Sequence, residues 1–202
     1  MNKKYELTDE TKGIGCITLH RIRALRDIPR YGVRYGDLGG WIESESNLSQ
    51  YGNAWVSGEA RVSGDASVSG DASVSDNAWV SGNAWVCGNA RVCGKAVVRG
   101  DARVYGGALV NGNAEVSGNA EVKSIRDYAV FKNGWSSGRW FTYTRSNRMW
   151  KVGCFYGTGE ELIAKAYKDS ELSGKCYEAI VRATETIEAA LAKAAGESEV
   201  KE

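Results

Sequence analysis

Proline and histidine are nearly missing from this chain: Pro29 and His20 each stand alone among 202 residues. One proline beside 25 glycines excludes collagen and proline-rich disorder, which need proline in quantity. One histidine removes most metal sites and most Ser-His or Cys-His catalysis that needs a second. No run approaches the ~18 apolar residues of a membrane span, so no membrane partner is expected. An excess of one charge is missing too. The net charge of +1 gives no global pull toward duplex DNA or an anionic surface. Met1-Asn-Lys-Lys-Tyr-Glu-Leu lacks the apolar core of a secretion signal. Five cysteines, at 16, 87, 93, 154 and 176, are odd in number and lack ligand spacing. Reduced thiols in a cytoplasm, with no metal or cofactor, are the expectation.

What is abundant is order. Valine recurs every six residues from Val56 to Val122, twelve times without a miss, with alanine two places before each. Glycine follows two places after at nearly every step, Asp76 and Ser124 being departures. The unit is Asn/Asp-Ala-x-Val-Ser-Gly. Period six fits neither an α-helix nor a heptad, but it contains the two-residue alternation of a strand. Alanine and valine then point one way and the residue between them the other. Glycine or Asn/Asp supplies a turn after each short strand. A solenoid with three sides per coil follows, its coils stacked at the ~4.8 Å strand spacing. Twelve hexads make about four regular coils.

Asn-Ala-x-Val-Ser-Gly resembles the hexapeptide repeat of left-handed β-helices. That resemblance, not the spacing, implies the left hand, a homotrimer and ligand sites between subunits. The flanks Leu19–Asp27, Gly36–Ser44 and Arg145–Glu160 resemble small hexapeptide-repeat proteins encoded in phages and prophages. The expected fold is therefore mainly β. A strand-rich N-terminal cap at 1–51, whose 31–51 stretch with Leu38, Ile42 and Leu48 forms a capping coil, precedes the β-helix at 52–123. An α+β module ending in helices follows at 124–202.

Within the flanks, Lys4–Asp9 and Cys16–Leu25 read as strands around a Thr-Lys-Gly-Ile-Gly turn. Residues 139–144 and 149–155 read as a hairpin. Thr158-Gly-Glu-Glu161 is a capping-box pattern opening a helix to about Leu172. Ser173 is the expected cap of a second helix to about Ala195, frayed from Gly196. Its stripe Tyr177, Ile180, Thr184, Ile187 and Leu191 packs on its own subunit or forms a bundle across a trimer.

Charge by segment points to chemistry. Residues 124–157 carry six Lys/Arg against one acid, and nine of the 20 aromatics. Arginines fork onto phosphate oxygens and flat rings sandwich bases, so an anionic, nucleotide-like small molecule is the expected partner. Arg139, Arg145 and Arg148 are the candidates for phosphate, and Trp140, Tyr143 or Trp150 for stacking. The amides of Gly157, Thr158 and Gly159 at a helix start form a candidate anion seat. The alternative is that the aromatics are the core of a cap; Trp140, Phe141 and Phe155 fit that role best. Outward tryptophans at 55, 79 and 85 suggest subunit contacts. Arg91, Arg99 and Arg103 with Tyr105 form a second candidate anion site.

Catalytic signals are thin. Hexapeptide-repeat acyltransferases use a histidine base, and the repeats contain none. The expectation is a non-catalytic protein that sequesters a nucleotide-derived defence signal, in a host cytoplasm if phage-encoded. The alternatives are an acyl- or nucleotidyltransferase and a structural or protein-interaction β-helix.

Overall fold

The computed structural model describes residues 3–199. In each hexad the x-Val pair is extended and the glycine turns the corner, giving twelve two-residue strands from β4 (Trp55–Val56) to β15 (Glu121–Val122). They pair in parallel with the strand 18 residues on, so Trp55, Ser73, Arg91 and Leu109 lie in one row. Three such rows enclose a solenoid of about five turns. Every hexad valine and alanine is buried. Corner glycines have φ between 65° and 73°, a region where a Cβ is costly. Asp76 adopts φ 61° in place of glycine and accepts the Gly94 amide at 2.8 Å.

The coils begin before the regular repeat. Ahead of it lie β1 (Tyr5–Ile14), β2 (Ile17–Ala24) and β3 (Leu38–Ile42). β3 pairs in parallel with Arg61–Val62, and Leu48 bridges Val68. Ile42 and Leu48 thus occupy interior positions and are fully buried, whereas Leu38, grouped with them from sequence, is 52% exposed. The antiparallel β1–β2 hairpin continues this sheet through β2 and β3. The expected turn at 11–15 is mostly strand, because the chain reverses at Gly15-Cys16, where Gly15 takes φ 59°.

The first residue of a strand and the residue after its valine donate their N–H groups to carbonyls 17 residues ahead, as Trp55 does to Ala72 at 3.0 Å and Ser57 to Val74 at 2.9 Å. In a parallel ladder each edge offers both N–H and C=O groups, and residues of the flanks meet them at both ends of the solenoid. Donors gather at the first end. The Asn47 amide reaches the Gly64 and Ala66 carbonyls, both at 2.8 Å. The buried Lys4 ammonium donates to Ala54 O at 2.7 Å, and Arg26 to Gly52 O at 2.6 Å. At the other end Tyr128 Oη donates to Leu109 O at 3.0 Å, and acceptors meet amides. Thr142 Oγ1 takes the Glu115 amide at 2.8 Å and Ser146 Oγ the Glu121 amide at 2.7 Å. Asp127 Oδ2 takes those of Lys123 and Ser124, both at 2.7 Å.

Those acceptors belong to a four-stranded antiparallel sheet and its lead-in. The strands are β16 (Tyr128–Lys132), β17 (Trp140–Thr144), β18 (Met149–Val152) and β19 (Phe155–Gly157). Only the central hairpin was expected. Two-residue alternation turns Thr142, Thr144 and Lys151 to the solenoid side and Phe141, Tyr143 and Trp150 to the helices, where they form a second core. α1 (Gly159–Asp169) is capped by Thr158 as expected. α2 (Glu171–Glu199) is capped by Ser170 rather than Ser173: extended backbone at Ser170 (φ −171°, ψ 155°) frees its hydroxyl to accept the Ser173 amide at 3.1 Å. The helix runs past Ala195 through Glu199, so the fraying expected from Gly196 is not found over 196–199, and 200–202 lie outside the described residues.

Two outcomes follow. Gly82→Ala places a Cβ 3.0 Å from the Gly100 amide nitrogen at φ +69°, and a thermal melt should show a loss of about 1–2 kcal/mol. Burial, helped by Arg26, pulls the Lys4 ammonium down to about 8. Below pH 8 the lysine is charged in both states and its burial cost is fully present. As pH rises toward the unfolded value of ~10.4, the unfolded chain binds more protons and the folded state gains. The stability difference between wild type and Lys4→Met should therefore move in favour of wild type between pH 8 and 10; a flat difference refutes it.

Candidate functional site

The turn Arg145-Ser-Asn-Arg148 joins β17 to β18, and between that hairpin and the later turns of α2 lies a cleft of about 510 Å³. Tyr143, Arg145, Arg148, Trp150 and Gly159 line it, facing Thr184, Glu185 and Glu188 of the helix. Five of the nine residues singled out from sequence therefore converge. Arg148 is exposed and has no ion pair among the described residues. Its φ of 55° lies in the left-handed region, where glycine or asparagine normally closes a hairpin.

The other members have duties within the fold. Arg145 is half-buried and its Nε bonds Glu188 at 2.8 and 3.0 Å to the two oxygens. Trp150, at 2% exposure, is core rather than a free stacking face, and Tyr143 is nearly as buried. Burial, then Glu188, pushes the Tyr143 hydroxyl upward, against the pull of Arg148 and Arg145. Trp140, expected as core or stacking ring, is 43% exposed, outside this cleft, with the Lys132 ammonium 5.7 Å from its ring centre. Phe141 is core and Phe155 packs against it. Arg139 borders a different cavity.

The anion seat at the start of α1 is filled by the chain itself. Glu161 Oε2 accepts the Thr158 amide at 2.8 Å and its hydroxyl at 3.0 Å, while Thr158 Oγ1 takes the Glu161 amide at 3.3 Å. These bonds hold the Glu161 carboxyl below its ordinary range, the backbone bond first. The glycines answer to packing. A Cβ on Gly159 meets Val181 at 2.6 Å, and one on Gly157 meets the Glu161 carboxylate and the Phe155 ring at 2.7 Å.

The acids of the cleft were missed because the buried stripe of α2 is offset. Tyr177, Val181 and Thr184 are buried, with Glu188 half-buried, whereas Ile187 is 56% exposed. The carboxylate turns inward because Arg145 waits there. The basic segment is answered elsewhere as well: Lys151 lies 3.7 Å from Glu115 of the solenoid.

On the solenoid surface the three outward tryptophans differ. Trp55 is buried by this chain alone, within a cluster flanked by Tyr31 and Val33. Trp79 is half-buried under the Arg61 guanidinium, 5.3 Å away. Trp85 stays largely open, its indole N–H on Ser69 at 3.4 Å. Trp41, unnoticed in sequence, sits one step below Arg61, with Arg21 5.0 Å from its ring. Its 20-residue offset from Arg61 breaks the regular 18 and hid it. The second candidate anion site is not assembled: Arg99 pairs with Glu115, Arg103 lies 3.9 Å from Glu121, and Tyr105 donates to Glu121 at 3.0 Å. His20 lies in β2, between Thr11 and Ile42, at the far end of the solenoid from the cleft. No group of His, Cys, Asp and Glu suited to a metal occurs among the described residues.

No family model matches this chain, and no curated protein matches it.

Thr158→Ala should cost about 1 kcal/mol through the lost cap, read as a lower denaturation midpoint.

Proposed function

We propose that this chain is a non-catalytic binding protein that captures an anionic small molecule, a nucleotide or nucleotide-derived signal, in the cleft between the β17–β18 hairpin and α2. Arg148 carries the reading. A glycine would suit its backbone better by about 1 kcal/mol, so an arginine there is explained by what its side chain does at the mouth of the cleft. In this reading Arg148 takes the phosphate and Arg145 shares it with Glu188. Tyr143 and Trp150 form the wall, and Glu185 accepts hydrogen bonds from ribose hydroxyls or base amino groups. Arg139 and Trp140, which do not line this cleft, drop out of the binding set.

The larger setting is a left-handed β-helix assembled as a phage-encoded homotrimer, holding a host defence signal unmodified in the cytoplasm. The open Trp85 face supports a contact between chains, because a large ring left in water is costly.

Native mass spectrometry with a nucleotide panel tests the reading. Wild type should retain an unmodified nucleotide. Arg148→Gly should keep or raise the melting temperature while weakening retention about tenfold, the loss of one charged hydrogen-bond pair. Glu188→Gln, which releases Arg145, should strengthen it. Product formation, no retention, or equal retention by Arg148→Gly would sink the proposal.

A further inference from the structure

A second cavity of about 410 Å³ opens where α1 turns into α2, against the loop that joins β16 to β17. It is separate from the cleft above. Val181, which borders that cleft, is eight residues beyond Ser173, about 12 Å along α2.

Ser173 lines this cavity and is only 7% exposed, yet its hydroxyl has no hydrogen-bond partner among the described residues. Its oxygen is open to the cavity rather than sealed away, so a ligand oxygen can accept its proton. Two cations, Arg139 from the loop and Lys165 from α1, border the same space, and neither makes an ion pair among the described residues. The first turn of α2 adds the positive end of a 29-residue helix. The Ser173 amide there is already taken by Ser170 Oγ, so it is chiefly the two unpaired cations that favour an anion.

The rest of the wall asks for a hydroxylated body. Asp169 is the one acid among the residues that line the cavity. Asn133, 2% exposed, is spent holding Tyr177 Oη at 2.9 Å and Ser136 Oγ at 2.7 Å, which stiffens that side. Phe155 and Leu162 give an apolar face, suited to the C–H face of a sugar ring.

We propose that this cavity binds a small phosphorylated polyol, a sugar phosphate. Its phosphate meets Arg139, Lys165 and the Ser173 hydroxyl, its carbon skeleton lies on Phe155 and Leu162, and its free hydroxyls donate to Asp169.

Isothermal titration of the full chain with glucose 6-phosphate, inorganic phosphate and glucose tests this. Glucose 6-phosphate should bind about tenfold or more tighter than either fragment, the worth of one additional charged hydrogen bond. Arg139→Ala and Lys165→Ala, both at exposed positions, should each weaken it about tenfold. Ser173→Ala should weaken it less, and Arg148→Gly should leave it unchanged. Absence of binding, inorganic phosphate binding as tightly, or affinity indifferent to Arg139→Ala and Lys165→Ala would each overturn the site. Loss of nucleotide retention at the other cleft leaves this result untouched, so the two proposals fail separately.

Discussion

The whole structure depends on the parallel hydrogen-bond ladder that joins each coil to the next, in which amides reach carbonyls 17 residues ahead. Repeated coil after coil, it leaves backbone groups without a neighbouring coil to bond at each end of the solenoid. Buried backbone groups must find partners, so each end needs polar chemistry supplied by the flanks. The lysine, arginine and asparagine side chains at the start, and the aspartate, serine and threonine oxygens at the finish, are that chemistry. Lys4 shows the cost: a fully buried ammonium is kept where the Ala54 carbonyl needs a donor.

The C-terminal sheet inherits its arrangement from this duty. Thr142 must face the last coil to meet the Glu115 amide. Strand alternation then sends Phe141 and Tyr143 to the opposite side, where α1 and α2 cover them. The hairpin turn projects past that core, and α2 runs alongside it. Both cavities are consequences of this layering: one lies at the start of α2 and the other along its later turns, each bordered by arginines of the same basic segment.

That segment is less basic in the fold than in the chain. Glu188 neutralises Arg145, and Glu115 stands beside Lys151. Arg126, Arg139 and Arg148 keep no ion pair among the described residues. The functional reading narrows accordingly. Trp150 and Tyr143 have become walls, the helix start has supplied its own carboxylate, and the arginine with the least favourable backbone is left at the opening.

Much of the fold was legible because a six-residue period leaves few options. Buried Ala and Val, outward x and a glycine corner followed from side-chain alternation and from the left-handed backbone that glycine permits. The capping box at Thr158 was equally local. Local signals failed where the spacing changed, as at Trp41 and along α2, whose buried face is shared between apolar and acidic residues. The sequence by itself determined the solenoid, since every coil repeats the same short-range rule. Only the tertiary structure decided which charges remain available, because an arginine's freedom depends on which acid a distant helix brings beside it, and no spacing along the chain encodes that.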